Sequence, residues 1–105
     1  MPPDPLPVAV VDNHTHLDIS RDDSAVTLED LADPLREAAA VGVDRVVQIG
    51  CDLPGARFAV AAAERYEGVL AGVALHPNEA PRLAAQGRLE AAYAEIGRAS
   101  CRERV

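Results

Sequence analysis

Val8-Ala9-Val10-Val11-Asp12-Asn13-His14-Thr15-His16 sets an apolar run of strand length directly before two histidines. Three of the first four residues are β-branched, which suits a strand buried on both faces, as in a parallel sheet. The same order recurs twice. Arg45-Val46-Val47-Gln48-Ile49-Gly50 reads as a second strand and runs into Cys51 and Asp52. Val69-Leu70-Ala71-Gly72-Val73-Ala74-Leu75 reads as a third and closes on His76-Pro77-Asn78.

Helical stretches separate these runs. The first starts either at Thr27 or at Asp33, which can cap while Pro34 takes the first helical position, where its missing N–H costs nothing. Gly42 follows that helix in the position that glycine favours. A second helix spans Pro54 to Tyr66, with Gly68 just beyond it. A third region begins about Glu79, is interrupted near Gly87 and resumes through Leu89, Ala92 and Tyr93. The resulting β-α-β-α-β-α order predicts an α/β fold with parallel strands joined by right-handed crossovers. Met1–Pro7, punctuated by proline, reads as an extended N-terminal tail.

Composition narrows the function classes. At 105 residues the chain can build one core, and with 49% apolar residues it is not a disordered polymer. The formal charge is −7 and every cation is an arginine, so unaided binding to nucleic acid or to an anionic membrane is disfavoured. No apolar run spans a bilayer, and the start lacks the regions of a signal peptide, so no membrane is expected. Cys51 and Cys101 are too few for a disulfide framework. A reducing, cytoplasmic setting is the expectation, and no protein partner is inferred.

Three polar groups fall at carboxyl ends of strands: His14 with His16, Cys51 with Asp52, and His76 with Asn78. In a parallel sheet these ends share one rim, where α/β folds place their sites. Residues two apart in extended chain point to the same side, so His14 and His16 form a natural bidentate seat for a divalent ion. The alternative is a pair of solvent-facing loop histidines. Asp52 either belongs to the rim or caps the second helix, and Cys51 reads as a small buried hydrophobe. His76 either contacts a substrate phosphate or serves its loop, by capping the next helix or bonding a carbonyl. Arg36, Arg45, Arg57 and Arg65 read as solvated or paired.

Val11-Asp12-Asn13-His14-Thr15-His16-Leu17-Asp18 resembles the opening motif of the TatD family of metal-dependent hydrolases, within the amidohydrolase-like barrels. Val47-Gln48-Ile49-Gly50-Cys51-Asp52 resembles that family's second strand, and Gly72-Val73-Ala74-Leu75-His76-Pro77-Asn78-Glu79-Ala80 its third. The resemblance covers residues 8–95 in order. It implies a (β/α)8 TIM-type barrel and hydrolysis of phosphodiester bonds in DNA by water activated on two divalent ions, whether Mg, Mn or Zn. It further implies that His14 and His16 are metal ligands, that His76 is substrate-binding, and that DNA or another phosphodiester is the partner. Asn78 departs from the family pattern, where a second histidine often follows the proline. Bound ions supply local positive charge, so an acidic chain is compatible with DNA.

Such a barrel takes about 250 residues, and three of its eight βα units are present here. The family's glutamate after the fourth strand, its later histidines and its final aspartate all lie beyond. The expectation is therefore a truncated N-terminal part, inactive alone, in which no residue of the catalytic acid–base set is found. A three-stranded part also leaves two unpaired edges and one uncovered apolar face. The last ten residues, 96–105, change character. Ile96 to Val105 is what ATC GGA AGA GCG TCG TGT AGG GAA AGA GTG encodes, a frame through a common sequencing-library adapter. Native residues are thus expected up to about Glu95. Two other readings stand beside this one: another His-x-His barrel hydrolase, such as an amidohydrolase or phosphoesterase, and a self-sufficient α/β binding module without catalysis.

Overall fold

Parallel pairing around one central strand organises the chain, which a computed structural model describes over residues 2–103. Met1, Arg104 and Val105, from the two terminal segments set apart above, lie outside the described residues, as does the Cys101 side chain. Strands β1 (Val10–Thr15), β2 (Val43–Gly50) and β3 (Val69–Val73) form one sheet in the order β1-β2-β3, and both pairings are parallel. Helix α1 (Ala32–Ala40) joins the first two strands and α2 (Leu53–Arg65) the second and third. Helices α3 (Glu79–Ala85) and α4 (Leu89–Glu103) follow. This is the α/β class, in the arrangement of the first βα units of a TIM-type barrel.

The first strand differs from the hydropathy reading. Val8 is 70% exposed and lies outside the ladder, whereas the polar residues Asp12 to Thr15 lie within it. Pairing sets the boundary: β1 begins where Val10 donates to the Gly42 carbonyl (2.8 Å) and stands opposite Val43. β1 is an edge strand, exposed along nearly its whole length rather than buried on both faces. The N-terminal lead is tied down at Leu6, whose N–H donates to the Val41 carbonyl at 2.9 Å.

Entry into α1 lies between its two candidate starts, with a 3-10 turn from Glu29 and the α-helix from Ala32. The Asp30 carboxylate accepts from the Thr27 N–H (2.9 Å), and a 3-10 turn over Glu29–Leu31 leads straight into the helix. Asp33 therefore falls inside the first turn, paired with Arg36 rather than capping, and Pro34 follows at the third position. Elsewhere the boundaries shift by one or two residues: β2 begins at Val43 rather than Arg45, α2 spans Leu53–Arg65, and β3 ends at Val73 rather than Leu75. Gly42 (φ +101°) ends α1, and Gly87 (φ +69°) stands in the break between α3 and α4, left-handed conformations that suit glycine.

One sheet face carries the core. Leu31, Val46, Ala62 and Val69 form its centre, with Leu35, Phe58 and Tyr66 packed against them. The alanines of α2 allow a close approach to the sheet: Ala56, Ala59 and Ala62 are buried, and a Cβ on Gly50 would stand 2.6 Å from the Ala56 nitrogen. The Tyr66 hydroxyl donates to the Leu28 carbonyl (2.6 Å), and Arg65 pairs with Glu29 across the same junction. On the other face Leu70, the residue after core Val69, is 56% exposed. The sheet thus has two edge strands and one open apolar face. No helix among the described residues is long and apolar enough to cross a membrane.

Candidate functional site

Because both strand pairings are parallel, the carboxyl ends of β1, β2 and β3 lie along one rim. His14 is the penultimate residue of β1 and His16 is the first beyond it. The strand is irregular here, with a register shift between Asp12 and Thr15, and the Asp12 carboxylate accepts from the His14 N–H at 3.1 Å. Thr15 stands opposite Gln48. Alternation then sends its two neighbours to the opposite face, away from the helices.

The two imidazoles meet edge to face, with ring centres 5.2 Å apart and planes at 76°. Rings that share one ion through bonds of about 2.1 Å stand about 5 Å apart centre to centre, and the pair matches that spacing. Two donors are at most half of a metal site. Among the described residues no group of three or more His, Cys, Asp or Glu side chains comes together to hold an ion.

His76 reaches the same rim from the other edge. Beyond the regular strands the ladder continues, with Ala74 N–H donating to Gly50 (3.1 Å) and His76 N–H to Cys51 (2.7 Å). The His76 ring then accepts from the Asn78 N–H through Nδ1 (3.0 Å), and its carbonyl accepts from Glu79 and Ala80. His76 thus ties its own loop just before α3, whose N-cap residue is Asn78 and which has no side-chain cap. A neutral ring held this way carries its proton on Nε2, leaving a donor for an anionic oxygen. Two strand spacings, about 10 Å, separate β3 from β1. No hydrogen bond or ring contact described here joins His76 to His14 or His16.

Asp52 takes the structural one of its two roles. Its carboxylate accepts from the Gly55 N–H at 2.7 Å and caps α2, with Pro54 in the first turn. Cys51 is a free, half-buried thiol. Asp22, in the loop after the histidines, accepts from the Ser24 hydroxyl and N–H and from the Ser20 hydroxyl. These bonds, the Ser24 hydroxyl first, lower its pKa and commit its carboxylate to the loop. Arg36, Arg45, Arg57 and Arg65 are all paired with carboxylates.

Sequence reasoning passed over Gln48. It is fully buried in β2, accepts from the Leu17 N–H (2.7 Å) and donates to the Asp18 carboxylate (2.9 Å). The available signal was a lone amide inside an apolar strand, since a buried amide needs partners.

The family model described as TatD related DNase matches residues 11–105. The chain is 42% identical over 96 residues to a protein of Mycobacterium tuberculosis (strain ATCC 25618 / H37Rv) described as an uncharacterized metal-dependent hydrolase TatD. That alignment takes in 91% of this chain and 33% of the relative, so the chain spans about a third of the curated relative it matches. No solved structure matches.

Proposed function

The chain belongs to the TatD related DNase family, and from that premise we propose that its parent protein is a metal-dependent hydrolase of phosphodiester bonds in DNA. The observation that carries this reading is the His14–His16 pair, 5.2 Å between ring centres, at the carboxyl rim of a parallel sheet. These two imidazoles hold part of a divalent site, with Mg, Mn and Zn all compatible, and the parent uses two ions. When bound, such ions supply an activated water and positive charge opposite the phosphate oxygens.

The residues in hand bind and orient. Asp12 fixes the backbone at His14, and His76 offers Nε2–H to a phosphate oxygen while Asn78 occupies its Nδ1. Two imidazoles leave most of an ion's coordination to water, which holds it weakly. The 105-residue chain is accordingly inactive alone, its remaining ligands and acid–base groups lying in the later barrel strands. Residues 96–105 are read as adapter-derived rather than native. A cytoplasmic location suits the free Cys51 thiol.

The test is an assay of metal-dependent phosphodiester cleavage on this chain beside a full-length version made from the genomic locus. The full-length protein should cleave, and should lose that activity with His14→Ala, whereas the 105-residue chain should not cleave. Activity of the short chain that disappears with His14→Ala would overturn its predicted inactivity. A full-length protein indifferent to His14→Ala would overturn the metal assignment.

A further inference from the structure

We propose that Gln48 is a positioning residue for the His14-Thr15-His16 rim, holding the backbone that carries both imidazoles in place for one divalent ion. The inference rests on the metal reading of that pair. Among the described residues Gln48 is the polar side chain buried within the core, at 0% exposure. An amide in such surroundings is costly unless both of its ends are bonded, and here both are. Oε1 accepts from the Leu17 N–H at 2.7 Å, and Nε2 donates to Asp18 Oδ1 at 2.9 Å.

The place of those partners gives the bonds their meaning. Leu17 and Asp18 directly follow His16, and Thr15, directly before it, stands opposite Gln48 in the ladder. One residue thus meets the chain on both sides of His16, its backbone beside Thr15 and its side chain on Leu17 and Asp18. β1 needs such a grip. It is an edge strand with one neighbour, its register is broken between Asp12 and Thr15, and regular pairing stops at Thr15. Without the Gln48 amide, the backbone beyond Thr15 would lose its tie to β2. Packing alone would be served by an aliphatic residue, as at Val46 in the same strand. Groups that orient ligands from behind change metal affinity by about 10- to 100-fold when removed.

The experiment measures Zn2+ binding by titration calorimetry, and amide hydrogen exchange by NMR, on the 105-residue chain and its Gln48→Met, Gln48→Glu and His14→Ala variants. Gln48→Met keeps the volume and removes both bonds. The expected result is Zn2+ affinity lowered about tenfold or more, with faster exchange at Leu17 and unchanged protection along the β2–β3 ladder. Wild-type affinity in Gln48→Met would overturn the proposal alone, as would loss of protection spread evenly over the sheet. Zn2+ binding that survives His14→Ala would overturn the metal reading itself, and this inference with it. Should Gln48→Met fail to fold, Gln48→Glu carries the comparison. It keeps an acceptor for Leu17 and, once the pH is high enough to ionise both carboxyls, loses the donor to Asp18, so unchanged affinity there overturns the proposal and weakened affinity supports it.

Discussion

Arg57 meets Glu95 in two parallel hydrogen bonds, Nε to Oε1 at 2.5 Å and the second guanidinium nitrogen to Oε2 at 2.8 Å, joining α2 to α4. Bidentate pairs of this kind are geometrically specific as well as charge-assisted. The hydrogen bond from Arg57, and then its charge, hold the Glu95 carboxyl below its ordinary 4.5. A carboxyl with a lowered folded pKa stabilises the fold above the unfolded value and ceases to do so as pH falls through the folded value. Glu29, held down chiefly by its bond from Arg65, acts in the same direction. Acidification below about 4.5 should therefore loosen the contact of α4 with α2. Amide exchange in α4 followed from pH 6 to pH 3 should show a step that Glu95→Gln removes. Arg57 and Glu29 are exposed and Glu95 is only half-buried, so the step should be small and should shrink in high salt. A step of equal size in Glu95→Gln would assign it elsewhere.

Asp52 separates a structural role from a site role. Its cap on the Gly55 N–H belongs to the fold alone, so Asp52→Ala should cost about 1 kcal/mol in denaturant unfolding. Asp52→Asn should restore most of it, because the amide oxygen still accepts. Zn2+ binding at the rim should be the same in all three proteins. A metal affinity that falls with Asp52→Ala would return this carboxylate to the rim.

Gly50 and Gly97 should respond in opposite senses to the same added methyl group. At Gly50 a Cβ meets the Ala56 nitrogen at 2.6 Å and further backbone atoms at 2.7 Å, none of them able to rotate aside. Gly50→Ala should push α2 off the sheet and cost about 1–3 kcal/mol, as overpacking does. At Gly97, inside α4, nothing lies within 4 Å. Gly97→Ala should be neutral or stabilising by up to about 1 kcal/mol. Thermal unfolding of the two variants side by side measures the contrast.

Local chemistry was readable from the sequence, and pairing between distant residues was not. Gly42 and Gly87 could be placed because a left-handed turn is a property of one residue, and Pro54 after Asp52 marked the start of α2 by the same logic. β1 was misplaced because hydropathy reports burial, whereas its limits are set by the residues of β2 it faces. The polar run Asp12 to Thr15 is strand only because β2 lies beside it. The start of α1 hinged on whether the chain turns at Thr27 or at Asp33, both able to cap, and it is the bond of the Thr27 N–H to the Asp30 carboxylate that marks the first turn. At the rim, the spacing of His14 and His16 announced a shared side. Gln48 stayed hidden because its partners are 30 and 31 residues away.

The segment after Glu95 yields the last prediction. α4 runs unbroken from Leu89 to Glu103, and helix propensity explains this whatever the origin of the residues, since alanine, arginine and glutamate all favour helix. The backbone is therefore blind to any junction at Glu95, and the coding DNA is not. If residues 96–105 come from an adapter, amplification across the Glu95 codon in source DNA should read into different codons. Those should complete the helix and open a fourth apolar strand ending in Gly-Glu. The chain matches 33% of its curated relative, so the open frame should continue well beyond that strand. A genomic stop codon directly after Val105, with no adapter sequence upstream of it, would sink the idea. It would leave a native arginine-rich end, and with it a three-stranded member of the family whose open Leu70 face needs another explanation.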